Sequence, residues 1–152
     1  MTIRIQTDLL GELEVDEKDL LFFPRGLPGF GKFYRWFIAG EEEETIKWLV
    51  SADCGSVALP VASPGVIDPG YDPVFPEGSL ESIGVEETGQ AVLLAVLNLP
   101  RDNPLEGTAN LLAPVVLNPA TRMGRQVVLN DGRYSIHTPL VRAGKTAEGG
   151  AV

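Results

Sequence analysis

The fold is decided by the stretch Gly107–Leu129, which reads GTANLLAPVVLNPATRMGRQVVL. It contains two short apolar runs, Leu111–Leu117 and Gln126–Leu129, separated by Asn118-Pro119 and a polar turn that ends at Gly124. Two neighbouring strands and their connector have this pattern. We therefore predict a β-hairpin-like unit at the centre of the fold.

Pro114 lies inside the first of these runs. Because proline has no N–H to donate to a ladder, the strand is broken there, is bulged there, or lies at a sheet edge. An irregular edge would offer unpaired backbone groups and apolar side chains to a partner. A bend in a core strand would serve only the fold, and this segment taken alone favours the bend.

The composition favours one all-β domain. The chain has 152 residues, 44% of them hydrophobic and 22% charged, which is ordinary for a globular protein with its own core. Seventeen glycines and twelve prolines suit short strands and turns better than long helices. We predict a small antiparallel β-barrel-like domain over residues 1–142, with long irregular loops and at most short helical turns. The small, polar residues 143–152 are predicted to form a disordered tail.

Charge and cysteine content exclude several function classes. A net charge of −9 disfavours nucleic-acid binding and favours a basic protein partner. The single Cys54 excludes an intramolecular disulfide. No leader pattern and no run of about 20 apolar residues is present, so we expect a cytoplasmic protein without a membrane partner. One His and one Cys do not make a usual zinc site, and no phosphate or dinucleotide motif occurs, so no metal or cofactor is predicted.

Alternating and continuous apolar patterns predict the other strands. The three strands nearest the N-terminus, Thr2–Thr7, Leu9–Val15 and Leu20–Phe23, are expected to form a meander that opens the sheet. The most apolar segment, Gln90–Leu99, is expected to be a central strand buried on both faces. One helical turn is predicted at Ser79–Ile83. The further predicted strands are Thr2–Thr7, Leu9–Val15, Leu20–Phe23, Phe33–Ala39, Ile46–Val50, Ser56–Val61 and Arg133–His137.

Two loops carry large side chains on a constrained backbone. Phe23–Phe30 reads FPRGLPGF, so its prolines and glycines give it a defined shape. It either forms a contact surface or fills the end of the core as a plug. Because large aromatic side chains are usually buried, the plug is favoured. Ser63–Gly78 is too rich in proline for a central strand and carries Tyr71 and Phe75. It is either a binding element or a lid over the barrel.

Candidate chemistry is sparse. Cys54 and His137 are the only thiol and imidazole, and a cysteine-dependent hydrolase would need them within hydrogen-bond reach. The run Glu41–Glu44 lacks the spacing of a calcium loop and is interpreted as a solvated turn. A small barrel that binds single-stranded nucleic acid would need a basic, aromatic groove, which the net charge disfavours. An unspecified protein-interaction module remains the general alternative.

Several motifs together resemble the flagellar assembly factor family FliW across nearly the whole chain. Phe23–Phe30 has the form Phe-Pro-x-Gly-x-Pro-Gly-Phe, and Thr108–Asn118 has the form Thr-x-Asn-Leu-x-Ala-Pro-Val-x-x-Asn. Gly124–Leu129 reads GRQVVL, and Tyr134-Ser135-Ile136 follows it. Both the order and the spacing of these motifs agree with the family.

The resemblance implies a small, non-enzymatic, β-barrel-like cytoplasmic protein with two mutually exclusive partners. These are flagellin before its export, bound in a chaperone-like manner, and the RNA-binding translational repressor CsrA, whose action on flagellin messenger RNA is antagonised. The motif-matched positions are expected at the contact surface or supporting it; they are Phe23, Pro24, Leu27, Phe30, Asn110, Leu111 and Pro114.

Two departures from the family pattern bear on partner choice. This chain has His137-Thr138 where the family often has Arg-His before the final Pro-Leu. The excursion Val61–Phe75 fits the family's pattern loosely. Partner choice or affinity would differ here if this excursion lies at the partner surface.

Overall fold

The protein is described by a computed structural model that covers residues 1–103 and 106–140, and β-strands dominate it. The strands are β1 Thr2–Thr7, β2 Gly11–Asp16, β3 Leu21–Phe22, β4 Arg35–Ala39, β5 Lys47–Ser51, β6 Ala58–Ala62, β7 Val92–Asn98, β8 Thr108–Asn118, β9 Met123–Gln126 and β10 Thr138–Pro139. The helical elements are a single turn, α1 Pro64–Ile67, and 3-10 turns at Glu17–Asp19, Glu81–Ile83 and Thr88–Gln90. The all-β prediction is confirmed, while the predicted tail lies outside the described residues. None of the helices in the described part of the chain is long and apolar enough to cross a membrane.

Seven strands close into a barrel in the order β8-β7-β6-β5-β4-β3-β9, with β9 returning to β8. The described strand pairs are antiparallel except β3–β9, which is parallel and rests on the single pair Phe22↔Met123. The eleven residues of β8 pair with β7 along one edge. The other edge of β8 is shared by β9 at its C-terminal half and β10 at its N-terminal end. The predicted barrel is confirmed, and β8 is its most extensively paired strand.

The first hairpin is a separate layer, so the predicted opening meander is wrong. Strands β1 and β2 pair only with each other, and the turn Glu17–Asp19 redirects the chain before β3. The hairpin packs through Ile5 and Val15 onto Phe37 and Val50 on the outside of the barrel. Apolar contact, rather than a shared ladder, therefore attaches this hairpin.

The strand Gln90–Leu99 is confirmed in its central part, where both faces are covered. Leu94 and Val96 pack against the cluster inside the barrel, while Ala95 and Leu97 belong to an outer cluster. The observed strand is shorter, Val92–Asn98, and Val92 is 45% exposed. Burial on both faces therefore does not extend to the start of the strand.

Two strand predictions near the C-terminus need correction. The second half of the predicted hairpin is β9, Met123–Gln126, and Gln126–Leu129 is mostly outside it. The predicted strand Arg133–His137 is wrong, because turns occupy it and the short β10 follows. The Asp131 carboxylate accepts hydrogen bonds from the Arg133 amide and guanidinium, and such local side-chain bonds compete with a ladder.

The excursion Ser63–Gly78 lies over the outer cluster as a lid. Ile67 and Tyr71 pack on this cluster, whose buried members include Leu111. The Tyr71 hydroxyl donates to the Leu111 carbonyl at 2.7 Å, and its ring meets that of Tyr134 edge-on at 4.6 Å. Burial in this contact raises the pKa of the Tyr71 hydroxyl, and neighbouring acidic groups raise it further. The aromatic side chains of the excursion thus attach it to the barrel.

Candidate partner-binding surface

The loop Phe23–Phe30 closes one end of the barrel core. Phe23 is 0% exposed, and its ring meets that of Trp36 edge-on at 6.2 Å. Leu27 is also buried. Gly26 has φ +63° and lies so near Gly31 that a Cβ would come within 2.8 Å of the Gly31 backbone. Only glycine fits this position, so the shape of the loop is built into its sequence.

The same loop also presents an outer surface. Pro24, Arg25 and Pro28 are exposed. Phe30 is partly buried, stacking on Phe33 with ring centroids 6.5 Å apart. Phe23 and Leu27 therefore fill the core, as the plug interpretation expects, while Pro24, Arg25 and Pro28 face solvent. A contact surface formed by the exposed side chains stays a prediction.

A bulge in β8 explains Pro114. The ladder with β7 skips from Leu94↔Val115 to Val96↔Asn110, so β8 carries extra residues at this point. Asn110 Oδ1 accepts hydrogen bonds from the backbone N–H groups of Leu112 at 3.1 Å and Ala113 at 2.9 Å. Pro114 follows with no N–H to satisfy and is fully buried. Of the three alternatives for Pro114, the structure shows the bulge.

The seven motif residues divide by burial. Four of them are buried and can affect a partner only by supporting the surface, whereas the other three have exposed or partly exposed surface. Direct partner contact by these residues stays a prediction. The buried residues are Phe23, Leu27, Leu111 and Pro114, and the others are Pro24, Phe30 and Asn110.

The two motif regions meet inside the barrel at Gly124 of β9. A Cβ added there would lie 2.6 Å from Phe23 Cζ and 2.7 Å from Leu117 Cδ2. Since both side chains are buried, no room exists for a larger residue. Gly124 therefore brings the first loop directly against β9, and Arg125 follows it on the strand.

This contact creates a cationic cavity of about 280 Å³ between the loop and β9. Arg25 comes from the loop and Arg125 from β9, and the remaining wall is mainly glycine, Leu27 and Pro28. Arg125 Nη1 donates to the Ser79 carbonyl. Burial lowers the pKa of Arg125, and the positive charge of Arg25 lowers it further. Sequence reasoning did not single out these arginines as a site, because 100 positions of sequence separate them.

A larger groove of about 590 Å³ lies between the first hairpin and the barrel. Its apolar lining includes Leu13, Ile38 and Val92, of which Ile38 is 39% exposed. Its acidic lining consists of residues from β2 and the turn that follows it, namely Glu14, Asp16 and Asp19. Sequence reasoning missed this groove because its walls come from five separate segments. The only local signal was the alternation of acidic and apolar residues along β2.

Arg122 lies at one wall of the groove in a left-handed conformation, with φ 60°. Its Nη2 donates to the Asp19 carbonyl at 2.7 Å, and its own carbonyl accepts from the Phe22 N–H at 2.8 Å. Arg122 therefore connects β9 to β3 beside the parallel pair that closes the barrel.

The structure does not bring Cys54 and His137 together as a nucleophile and base. Cys54 Sγ lies 3.1 Å from Ser56 Oγ in the turn after β5, and no hydrogen bond joins it to His137 in the described part of the chain. His137 precedes β10, and three strands, β8, β7 and β6, separate β10 from β5 in the sheet order. Within residues 1–103 and 106–140, no three His, Cys, Asp or Glu side chains are grouped as a metal site.

Comparison with known proteins agrees with this architecture. The family model described as FliW protein matches residues 4–140. The flagellar assembly factor FliW of Thermotoga neapolitana is 37% identical over 128 residues, covering 84% of this chain and 86% of that protein. The protein of the same name from Leptospira interrogans is 32% identical over 144 residues, covering 94% and 96%.

A solved structure shows the same fold. The crystal structure of a flagellar assembly factor FliW superposes with a TM-score of 0.83 at 26% sequence identity, covering 92% of this chain and 98% of that one. The barrel, the bulged β8 and the two glycine-dependent motif contacts are thus found in a chain that one family model matches from residue 4 to residue 140. This chain belongs to the FliW family of flagellar assembly factors.

Proposed function

We propose that this protein regulates flagellar assembly by binding two alternative proteins in the cytoplasm. One is CsrA, whose repression of flagellin messenger RNA it antagonises, and the other is flagellin that has not been exported. The proposal rests on the family and on one feature of the molecule, the groove between the first hairpin and the barrel.

The groove suits a basic polypeptide that also carries apolar side chains. Its apolar lining offers surface for hydrophobic contact, and Glu14, Asp16 and Asp19 supply negative charge at the same place. A protein that binds RNA needs clustered Lys and Arg, so CsrA is expected to carry the complementary potential. With a net charge of −9, this chain would also attract such a partner at long range and raise its association rate.

Mutually exclusive binding follows if both partners use the groove. Flagellin that accumulates would then displace CsrA, and export of flagellin would leave the groove free for CsrA. The exposed Pro24 and the partly exposed Phe30 and Asn110 are the motif positions that remain available for additional contacts.

Calorimetry with purified CsrA and purified flagellin tests the proposal. We expect saturable binding of each partner, weaker CsrA binding as salt concentration rises, and loss of the CsrA signal when the protein is first saturated with flagellin. Absence of binding to both partners would refute the function. CsrA binding that is insensitive to salt would refute the electrostatic argument.

A matched pair of double variants tests the groove itself. Glu14→Lys with Asp19→Lys reverses charge at the groove, whereas Glu77→Lys with Glu81→Lys makes the same change on exposed residues that do not line it. Each exchange adds two positive charges, so both double variants move the net charge from −9 to −5. CsrA affinity should fall much further for the groove pair. Equal losses would show that only net charge matters.

A further inference from the structure

The cationic cavity between the loop Phe23–Phe30 and β9 has two guanidinium groups in its lining, those of Arg25 and Arg125. Among the described residues that line it, none is a carboxylate. Neither Arg25 nor Arg125 forms an ion pair in the described part of the chain, although the sequence contains 21 acidic residues. On so acidic a protein, two converging arginines without a carboxylate partner among the described residues are an unusual arrangement.

Two like charges that share a partly buried site repel each other. The fold holds them together nevertheless: Arg125 is tied to the Ser79 carbonyl, and Arg25 follows Pro24 in a loop whose path Gly26 restricts. The fold thus maintains a positive potential that it does not neutralise. A bound anion would offset the repulsion between the two guanidinium groups. It would also accept hydrogen bonds from the N–H groups of both side chains that are not already bonded.

We propose that this cavity binds a carboxylate of a partner polypeptide, either the chain terminus or an acidic side chain. A carboxylate accepts two parallel N–H bonds from one guanidinium, so two arginines can hold it from two sides. Leu27 and Pro28 provide apolar contact for the adjoining part of the bound residue. A nucleic-acid phosphate backbone is disfavoured, because the rest of the molecule carries a net negative charge that repels a polyanion.

This site is separate from the acidic groove and does not depend on CsrA or flagellin binding there. The two cavities have no lining residue in common. Their charges are opposite, so a single partner would need a basic segment for one and a carboxylate for the other. The test can therefore be made on the free protein with small probes.

The experiment titrates the full chain, labelled with ¹⁵N, with four probes. They are acetyl-alanyl-leucine with a free terminal carboxylate, the same dipeptide as its amide, acetyl-glutamyl-leucine amide, and inorganic phosphate. Amide shifts of Gly26, Gly29 and Gly31 and the Nε–H signals of the two arginines report on binding. We expect saturable shifts with one or both carboxylate dipeptides, and their comparison tells a terminal from a side-chain carboxylate. The acetyl-alanyl-leucine amide, which has neither a terminal nor a side-chain carboxylate, should not shift these signals.

Two arginine variants give the matched comparison. Arg25→Gln removes one guanidinium from the cavity, and Arg4→Gln removes the same charge from β1, where Arg4 is exposed and pairs only with Glu14 at 3.8 Å. Because both side chains are exposed, both variants should fold, as their remaining amide spectra will show. We expect Arg25→Gln to weaken carboxylate binding about tenfold or more, as loss of a charged hydrogen-bond partner does. Arg4→Gln should leave it within about twofold, since exposed distant charges are screened.

Four results would overturn the proposal. They are the absence of saturable shifts, equal binding of the dipeptide amide without a carboxylate, equal weakening by the two arginine variants, and tighter binding of phosphate than of both carboxylates. The last result would identify the cavity as a phosphate site instead.

Discussion

Replacing Asn110 by alanine should destabilise the fold through the β8 bulge. The change removes the oxygen that accepts the Leu112 and Ala113 N–H groups at 3.1 and 2.9 Å. Each hydrogen bond of this kind contributes about 0.5–1.5 kcal/mol, so the pair contributes about 1–3 kcal/mol. Ala113 is 6% exposed, so water reaches its freed N–H poorly and the loss should be in the upper half of that range.

Urea unfolding followed by circular dichroism measures this effect. We expect Asn110→Ala to lower the free energy of unfolding by about 2–3 kcal/mol with an unchanged m-value, out of a total of about 5–15 kcal/mol for a domain of this kind. The melting temperature should fall by about 4–12 °C, since 1 kcal/mol shifts a domain of about 150 residues by about 2–4 °C.

Asn110→Asp is the matched control, because aspartate keeps an oxygen acceptor for both N–H groups. At pH 7 it should lose less than half as much stability as the alanine variant. If the two variants are equally destabilised, the acceptor is not what matters at this position. If Asn110→Ala stays within about 0.5 kcal/mol of the native chain, the bulge does not depend on Asn110 and the side chain is free for another role.

Three further substitutions probe other contacts. Gly124→Ala places a Cβ 2.6 Å from the buried Phe23 ring and should lower the free energy of unfolding by about 1–3 kcal/mol, whereas Gly132→Ala, with nothing within 4 Å, should change it little. Burial raises the pKa of Asp53, but hydrogen bonds from two backbone amides and an arginine outweigh this and hold it below 3.8. The carboxylate therefore stabilises the fold above that pH and loses its effect as the pH falls, so Asp53→Asn should destabilise at pH 7 and differ less from the native chain at pH 3 in urea titrations. Tyr71→Phe removes the hydroxyl that donates to β8 and should lower stability by about 1 kcal/mol and speed proteolysis of the excursion; an unchanged cleavage rate would show that packing alone holds it.

The strands were predictable where apolar residues alternate or run continuously. Thr2–Thr7 is observed as predicted, and Gln90–Leu99 contains β7, because burial of a strand face requires such patterns. Arg133–His137 has strand-like residues, yet local bonds from Asp131 turn the chain there. The closure of β3 onto β9 was not predictable, since it depends on one pair of residues far apart in sequence.

The candidate surface was predictable only in part. Motif resemblance singled out the loop Phe23–Phe30 and the segment around Pro114, but it left the bulge as one of several alternatives. It also does not distinguish a residue that supports a surface from one that forms it. Phe23 and Pro114 belong to the first kind, and Pro24 to the second. Both cavities are assembled from distant segments, so no local pattern marks the cationic cavity and only the alternation along β2 points to the groove.

The junction between β3 and β9, which we call the seam, contains one parallel residue pair and is the weakest junction of the barrel. Elsewhere its walls are joined by longer antiparallel ladders, whereas the seam is spanned by one residue pair, the Phe22–Arg122 backbone bond and the bond from Arg122 to the Asp19 carbonyl. Transient opening of the seam would free the end of β3 that leads into Phe23 and would widen the cationic cavity, while strands β5 to β8 stay paired. Amide protons flanking the seam should therefore exchange with deuterium before those of the opposite wall.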